Sequence, residues 1–413
     1  MSGATKAAAW VETVEALWPG ARVEPHDRRA PAGRGGTGAG SGGTADGHRR
    51  ELVFLPDADH PRLLLPAGMP GVAAAALRRY SHDLGVKQRV SRSLAAMAAR
   101  TGLPERAMRD RLRVHGGEGA SIEDHLGELL GRTVVVSVGL GPLRANRKPI
   151  LHVLTPDGAA VAFVKVGDTP TALGLIAAEA KALANLAGRE LPGIDVPRVL
   201  HHGDWRGLGL LVLSALPTTA LGWRPRRSAP LAAMRALAAS GAGRHEVKLA
   251  DSPYWAEIQQ VPARLDDAGA AARLAEVIER AGERHGSVAL EFGAWHGDWT
   301  PWNMSWRRGK VQLWDWERFA DGVPCGFDLL HYRLQEASRT AARSPYEHLP
   351  SPELAAELAA PLGLSGAAAT ALAELYFLEL CVRYQLAAQE PIGAPLRARA
   401  DQLLSLLHAG GHA

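Results

Sequence analysis

The sequence predicts an α+β fold in which strands precede helices. Between Val134 and Leu213, Val- and Leu-rich runs of strand length alternate with polar turns such as Pro156-Asp157-Gly158. Beyond residue 221 the spacing becomes helical, over Leu231 to Ser240, Ala271 to Arg284, Phe327 to Arg339, Leu372 to Gln389 and Leu396 to His408. Within that helical part, Val311-Gln312-Leu313-Trp314 after the Arg307-Arg308-Gly309-Lys310 turn reads as a short strand.

Composition narrows the class. The chain has 413 residues, 46% hydrophobic and 22% charged, which suits a soluble globular protein of two or three domains. A net charge of +4 and a pI near 9.2 come from scattered Arg and Lys, so a solvated surface is favoured over a nucleic-acid face. Cys325 and Cys381 form neither a disulfide framework nor a metal cluster, as suits a reducing cytosol. The opening residues, broken by Glu12 and Glu15, lead to the expectation of no signal peptide, and no run reaches the roughly 18 apolar residues of a membrane span. A cytoplasmic protein with no membrane partner is expected; the oligomeric state is not set by sequence.

Residues 1–24 are expected to form one amphipathic helix with Trp10, Val14 and Leu17 on a common face. Residues 31–48 are a Gly-rich linker too poor in apolar side chains to offset chain entropy, which completes a first segment over 1–50. No Gly-Lys-Ser/Thr closes the tract and no strand leads into it, so it is not a phosphate loop. Residues 51–130 begin with a strand at Leu52 to Pro56 and continue as a mainly helical, cap-like region. Within it, Ala98, Gly102, Leu103, Met108 and Leu112 fall at helix-turn-helix positions, and Arg106 and Arg109 could face DNA; a packed helical cap is the simpler reading of 94–112.

The strand-rich part spans 131–216 and the helical part 217–413. In Val161-Ala162-Phe163-Val164-Lys165-Val166, alternation sets Val161, Phe163 and Lys165 on one face. The next helix places Glu179 along an apolar stripe with Leu175, Leu183 and Leu186, so its carboxylate points inward to meet the lysine. A Lys165–Glu179 pair of this kind is how kinases hold a lysine on the α- and β-phosphates.

The densest chemistry lies in Trp295-His296-Gly297-Asp298-Trp299-Thr300-Pro301-Trp302-Asn303, followed twelve residues later by Asp315 and then by Phe327-Asp328-Leu329-Leu330. An Asp and an Asn with four residues between them, and a second Asp beyond a short hairpin, meet the needs of phosphoryl transfer from a nucleotide. Asp298 would accept the hydroxyl proton, while Asn303 and Asp315 would hold Mg²⁺ against the phosphates.

Here the sequence resembles the aminoglycoside phosphotransferase and choline kinase family, small-molecule relatives of the protein kinases. That family's pattern is H-G-D-x-x-x-x-N, a strand ending in an acidic D-W-E, and a further Asp, supplied here by His296-Gly297-Asp298, Asn303, Asp315-Trp316-Glu317 and Asp328. The resemblance spans roughly residues 131–390. It implies a two-lobed, protein-kinase-like fold with the nucleotide between the lobes, and ATP or GTP with Mg²⁺ as cofactors. It also implies a small hydroxylated substrate, with the first 130 residues as an extra region.

By the same resemblance Phe163 stacks on adenine, and the backbone of the Ser214-Ala215-Leu216-Pro217 linker meets the adenine edge. The 141–149 turn, with Arg144, Arg147 and Lys148, folds over the phosphates, and Asp328 ties the catalytic loop's backbone together. Glu317, Asp321, Glu336 and Glu379 are acidic candidates for gripping a cationic substrate, though Glu379 has Arg383 one turn on. Six of the eleven tryptophans lie in the catalytic segment; packing is the commoner role of such a cluster, though Trp299 and Trp302 could touch substrate.

Two other classes fit part of the pattern: a silent nucleotide-binding regulator of the same fold, and a DNA-binding regulator using 94–112. A protein kinase does not fit, because Asp328 follows Asp315 by only thirteen residues and no A-P-E segment follows.

Overall fold

In the computed structural model, residues 12–20, 22–27, 50–58, 61–78, 86–102, 110–115, 120–140, 149–217, 230–241, 243–340, 360–390 and 393–409 are described. They fall into two compact units. The first takes in residues 1–80, 84–180 and 197–220, and the second 81–83, 181–196 and 221–413.

Strands build the first unit. In chain order they are β1 (Arg22–Asp27), β2 (Arg50–Leu55), β3 (Leu63–Pro66), β4 (Asp110–His115), β5 (Val135–Gly139), β6 (Ile150–Leu154) and β7 (Ala160–Gly167). After β8 (Ile194–Asp195), which belongs to the second unit, come β9 (Val199–Trp205) and β10 (Leu208–Ser214). Nine of them form one sheet in the order β1-β4-β2-β3-β5-β6-β7-β10-β9. Every neighbouring pair in it is antiparallel.

Strand alternation decides what this sheet buries. Val136, Val138, Leu151, Val153, Ala162, Val164, Leu210 and Val212 enter one cluster with Leu52, Phe54, Leu112 and Val114, all turned to the same side. That side is covered by Val14, Leu17 and Trp18 and by Ile122 and Leu126. Phe163 and Lys165, at the intervening positions of β7, face away from it.

The N-terminal third departs from the reading as a helix followed by a mainly helical cap. Residues 12–17 are helical, but 22–27 form β1, so no single helix runs to residue 24; Trp10 lies outside the described residues. Residues 51–130 do contain helices α1 (Pro70–Leu77), α2 (Val86–Arg100) and α3 (Ile122–Leu130). They also supply most of β2 and all of β3 and β4 to the sheet. The reason lies in the apolar face of β5 and its neighbours, which is long enough to recruit further strands and needs a cover. For the helix-turn-helix reading this is decisive at its far end. Leu112 sits in β4, register-paired with Pro25 and Leu52, where that motif requires helix. Leu103, Arg106, Met108 and Arg109 lie outside the described residues.

The second unit carries α5 (Leu231–Ala238), β11 (His245–Lys248), α6 (Pro253–Gln259), α7 (Ala268–His285), β12 (Ala289–Trp295), β13 (Met304–Arg307), β14 (Lys310–Leu313), β15 (Ala320–Pro324), α8 (Phe327–Thr340), α9 (Gly366–Gln389) and α10 (Ala394–Ala409). Helix α4 (Pro170–Leu186) starts in the first unit and ends in this one. The helices expected from periodicity are all present, each within a few residues of its expected start except α9, which begins six residues earlier than Leu372. Helix α9 is buried nearly all round, from Ala368 to Ala388, as a helix central to its unit should be. Two three-stranded sheets, β11-β12-β15 and β13-β14-β8, flank the catalytic segment. No helix among the described residues is long and apolar enough to cross a membrane. The α+β character, with a β-rich unit and a mainly helical one, is as expected.

Glu123 fastens the N-terminal cover to the sheet. Its buried carboxylate accepts from the Val136 amide at 2.9 Å and the Trp18 indole at 3.4 Å, and pairs with Arg50. Glu123→Ala leaves an amide and a half-buried guanidinium without that acceptor and is expected to cost about 2–3 kcal/mol. Denaturant unfolding followed by Trp fluorescence checks this, with Glu123→Gln expected to lose less.

Candidate active site

The catalytic segment begins where β12 ends. His296 and Gly297 leave the strand with their amides donating to the Asp328 carboxylate, at 2.8 Å to Oδ2 and 3.1 Å to Oδ1. Gly297 has φ +81°, and a Cβ there would lie 2.3 Å from the Arg318 carbonyl oxygen, so only glycine allows this approach. Its own carbonyl accepts from Arg383 Nη1 at 2.7 Å, and the Arg383 guanidinium lies 4.9 Å from the Trp295 ring centre. Helix α9 thereby braces the loop from one side and α8, through Asp328, from the other.

Asp298 follows, and its carboxylate is held at both oxygens. Asn303 Nδ2 donates to Oδ2 at 2.8 Å and to the Asp298 carbonyl at 3.0 Å. His331 Nε2 lies 3.0 Å from Oδ1. With both amide hydrogens of Asn303 spent on Asp298, its Oδ1 is the atom left to offer a cation. The hairpin expected after Asn303 is present: Arg308 and Gly309 take positive φ (50° and 82°) between β13 and β14, as a two-residue turn requires.

Trp314, just before Asp315, is stitched into this loop. Its amide donates to the Asn303 carbonyl at 3.1 Å, and its carbonyl lies 3.1 Å from His296 Nε2. Asp315 itself has φ +76°, a left-handed conformation uncommon for Asp and in keeping with a constrained site. Carboxylate oxygens of Asp315 and Glu317 lie within 4.8 Å of each other. Two half-buried carboxylates so placed repel unless a cation lies by them. Asn303 Oδ1, Asp315 and Glu317 are hard oxygen donors of the type Mg²⁺ takes, so the residues fit that ion. Glu317 was read from sequence only as a substrate contact; its i, i+2 spacing from Asp315 is the signal for this second role.

Burial sets the protonation of the supporting groups. His296 is pushed down to about 4, chiefly by burial, which keeps the ring neutral. Nδ1 accepts from the Asp298 amide at 3.2 Å, so Nε2 carries the hydrogen given to Trp314. Burial raises Asp328 to about 7, against the opposing pull of its two amide donors. His331 is lowered by burial, against the pull of Asp298.

In the first unit, Lys165 and Glu179 form the expected ion pair, both deeply buried. Phe163 stands two residues before Lys165 and stacks on His152 of β6, with ring centres 4.5 Å apart and planes 4° from parallel. Ser214 ends β10 with its amide on the Arg198 carbonyl at 2.9 Å and its hydroxyl accepting from the Arg198 amide. That amide is therefore engaged within the sheet, and Leu216, two residues on, is half-buried. Arg144, Arg147 and Lys148 lie outside the described residues.

Other candidates are redirected. Trp299 is fully buried, donates to Met304 Sδ and packs edge-on to His296, so it is a core residue; Trp302 is 37% exposed. Asp321 is taken by Arg189 through two bonds of 2.7 and 2.6 Å, and Glu336 lies 3.7 Å from Arg333. Glu379 is shared by Arg383 at 3.4 Å and the Tyr254 hydroxyl at 3.3 Å. Sequence reading missed His331, Tyr376 and the bracing role of Arg383. For the last, only the spacing to Glu379 gave a signal.

Comparison with known proteins agrees with the motif. Residues 147–330 match the model of the phosphotransferase enzyme family, a span that includes Lys165, Glu179, Asp298, Asn303, Asp315 and Asp328. Over that segment, somewhat under half of the chain, the sequence is similar to this family of phosphotransferase enzymes. The resemblance to aminoglycoside phosphotransferases is thus upheld over that segment. No curated protein matches the chain.

Among solved structures, similarity is found to a putative fructosamine-3-kinase from Haemophilus somnus, at 13% identity and TM-score 0.40, covering 68% of this chain and 96% of that one. A thermostable mutant of the aminoglycoside phosphotransferase APH(4)-Ia, in ternary complex with AMP-PNP and hygromycin B, matches at 13% identity and TM-score 0.44, covering 70% and 98%. A macrolide 2'-phosphotransferase from Brachybacterium faecium matches at 17% identity and TM-score 0.40, covering 68% and 96%.

The buried His296 makes stability depend on pH. Its folded value of about 4 lies below the unfolded 6.5, so its contribution is complete above 6.5 and is lost as pH falls towards 4. Asp328, raised from 3.8 to about 7, works in the opposite sense, its contribution declining as pH rises over that range. A comparison with His296→Gln, which keeps Asp328, isolates the histidine. Between pH 7 and 5 the wild type is expected to lose about 2 kcal/mol more than the variant, measured by denaturant unfolding at each pH.

Proposed function

We propose that the chain is an ATP- and Mg²⁺-dependent kinase that phosphorylates a hydroxyl of a small molecule, with GTP as the alternative donor. The observation that carries this is the Asp298 carboxylate, partly exposed yet held at both oxygens, beside an Asn303 amide, with Trp314, the residue before Asp315, tied to the same loop. A carboxylate so fixed is suited to orient a hydroxyl and take its proton as the phosphoryl group moves. Asn303 and Asp315, with Glu317 beside the latter, are the residues to hold Mg²⁺. When bound, that ion supplies charge neutralisation on the phosphate oxygens. Lys165, oriented by Glu179, aligns the α- and β-phosphates. Phe163 offers a face to adenine, and the linker contact falls on the backbone near Leu216, since the Ser214 amide is engaged.

The acceptor class stays broad: an aminoglycoside, an amino alcohol or a sugar-like molecule. With Asp321, Glu336 and Glu379 each paired to arginine and Glu317 placed with the metal ligands, a cationic acceptor would rely on aromatic contact at Trp302. The cytoplasm is the proposed place of action, in keeping with Cys325 and Cys381 as free thiols that burial raises to about 12. A regulator that binds DNA through 94–112 is disfavoured, because residues 110–112 are strand.

The test is a coupled ATP-consumption screen across hydroxylated small molecules, with Asp298→Asn as the blank. The variant is expected to keep ATP affinity and to lose about 10³-fold or more in turnover. Equal rates in the two proteins would remove Asp298 from the mechanism.

A further inference from the structure

His331 has no part in the motif, yet it touches the proposed base. It lies on α8, three residues after Asp328, so one turn of helix carries both the clamp on the loop backbone and a contact to Asp298. Its ring is buried, with Nε2 at 3.0 Å from Asp298 Oδ1 and Nδ1 at 2.8 Å from the Tyr376 hydroxyl on α9. Tyr376 is completely buried, whereas the Asp298 side chain is 37% exposed. The chain Tyr376, His331, Asp298 therefore runs from the core of the second unit to an accessible carboxylate.

The chemistry of the three groups fixes where the hydrogens lie. An ionised carboxylate only accepts, so Nε2 of His331 must be the protonated nitrogen. Nδ1 of the neutral ring then has a lone pair, and the Tyr376 hydroxyl must donate to it. Tyr376 selects the tautomer, and the tautomer lets His331 donate to Asp298. Asn303 holds one carboxylate oxygen and His331 the other, from two different elements. Neither the rotation of the carboxylate nor its tilt is left to the loop alone.

We propose that His331, set by Tyr376, is a positioning residue for the Asp298 carboxylate. This rests on the reading of Asp298 as the base. In the step concerned, Asp298 accepts the proton of the attacking hydroxyl as the hydroxyl oxygen bonds to the transferred phosphorus and the bond to the nucleotide's leaving oxygen breaks. His331 keeps its own proton throughout and stays neutral. Its effect is to keep a lone pair of the carboxylate aimed at the hydroxyl, an alignment whose loss costs on the order of 10²-fold when displacement reaches about 1 Å.

Two measurements test this on the full-length protein. Imidazole ¹⁵N NMR is expected to show His331 as the neutral Nε2–H tautomer; an Nδ1–H tautomer would overturn the proposal without reference to activity. Steady-state kinetics then compares Asp298→Asn, His331→Ala, His331→Gln and Tyr376→Phe. The assay is the ATP-consumption assay with the acceptor found by the screen, or with water as acceptor. His331→Ala is expected to lower kcat by about 10- to 100-fold while KM for ATP stays within about twofold. His331→Gln, whose amide can donate to the same oxygen, is expected to recover most of the loss, and Tyr376→Phe to fall between.

Wild-type kcat in His331→Ala together with a silent Asp298→Asn would overturn the positioning role and leave the base assignment standing. Full activity in Asp298→Asn would overturn both. A parallel rise in KM for ATP, or no recovery with Gln, would mark His331 as merely structural and likewise overturn the proposal.

Discussion

The catalytic segment depends on one buried carboxylate. Asp328 accepts the amides of His296 and Gly297, and this pair of bonds fixes the direction in which the chain leaves β12. Everything downstream inherits that direction. The His296 ring, placed by its own backbone, spans from the Asp298 amide to the Trp314 carbonyl, and Trp314 in turn holds Asn303. Burial makes the carboxylate costly to ionise, as its upward shift shows, and the two amides with the nearby Arg383 charge work against that cost. A surface aspartate could accept the same two bonds, but its alternatives in water would compete with them.

Much of the site was legible because its geometry is local. Asp298 and Asn303 are joined across five residues, and the hairpin returning to Asp315 is announced by Arg308-Gly309. Lys165 and Glu179 could also be matched, since strand alternation and helical spacing each leave one face. What escaped notice depends on distance along the chain. His331 meets Asp298 across 33 residues and Arg383 meets Gly297 across 86, and no periodicity encodes either meeting. Trp299 could be read either as packing or as a substrate contact for a related reason: sequence shows that a tryptophan belongs to a loop but not which side of the loop faces the core.

In the N-terminal third the signal was present but outweighed. Asp110-Arg111-Leu112-Arg113-Val114 alternates charge with apolar residues, the period of a half-buried strand, and Leu112 and Val114 are buried as that period requires. A glycine turn after an alanine-rich helix drew the same residues into a helix-turn-helix pattern. Leu63–Pro66 is too short at four residues to show alternation at all, and only its partners β2 and β5 define it.

The hydrogen bonding of β3 to β5 settles how far this protein can be pared down. Family similarity starts at residue 147, between β5 and β6, yet β6 is bonded to β5 on the side away from Lys165's strand, and β5 in turn to β3. A fragment trimmed to the homologous boundary would strip β6 of its outer neighbour and bare a row of amides and carbonyls of the kind that seeds edge-to-edge association. The smallest autonomous version of this enzyme is therefore set by sheet pairing, and it reaches well upstream of where kinship can be recognised.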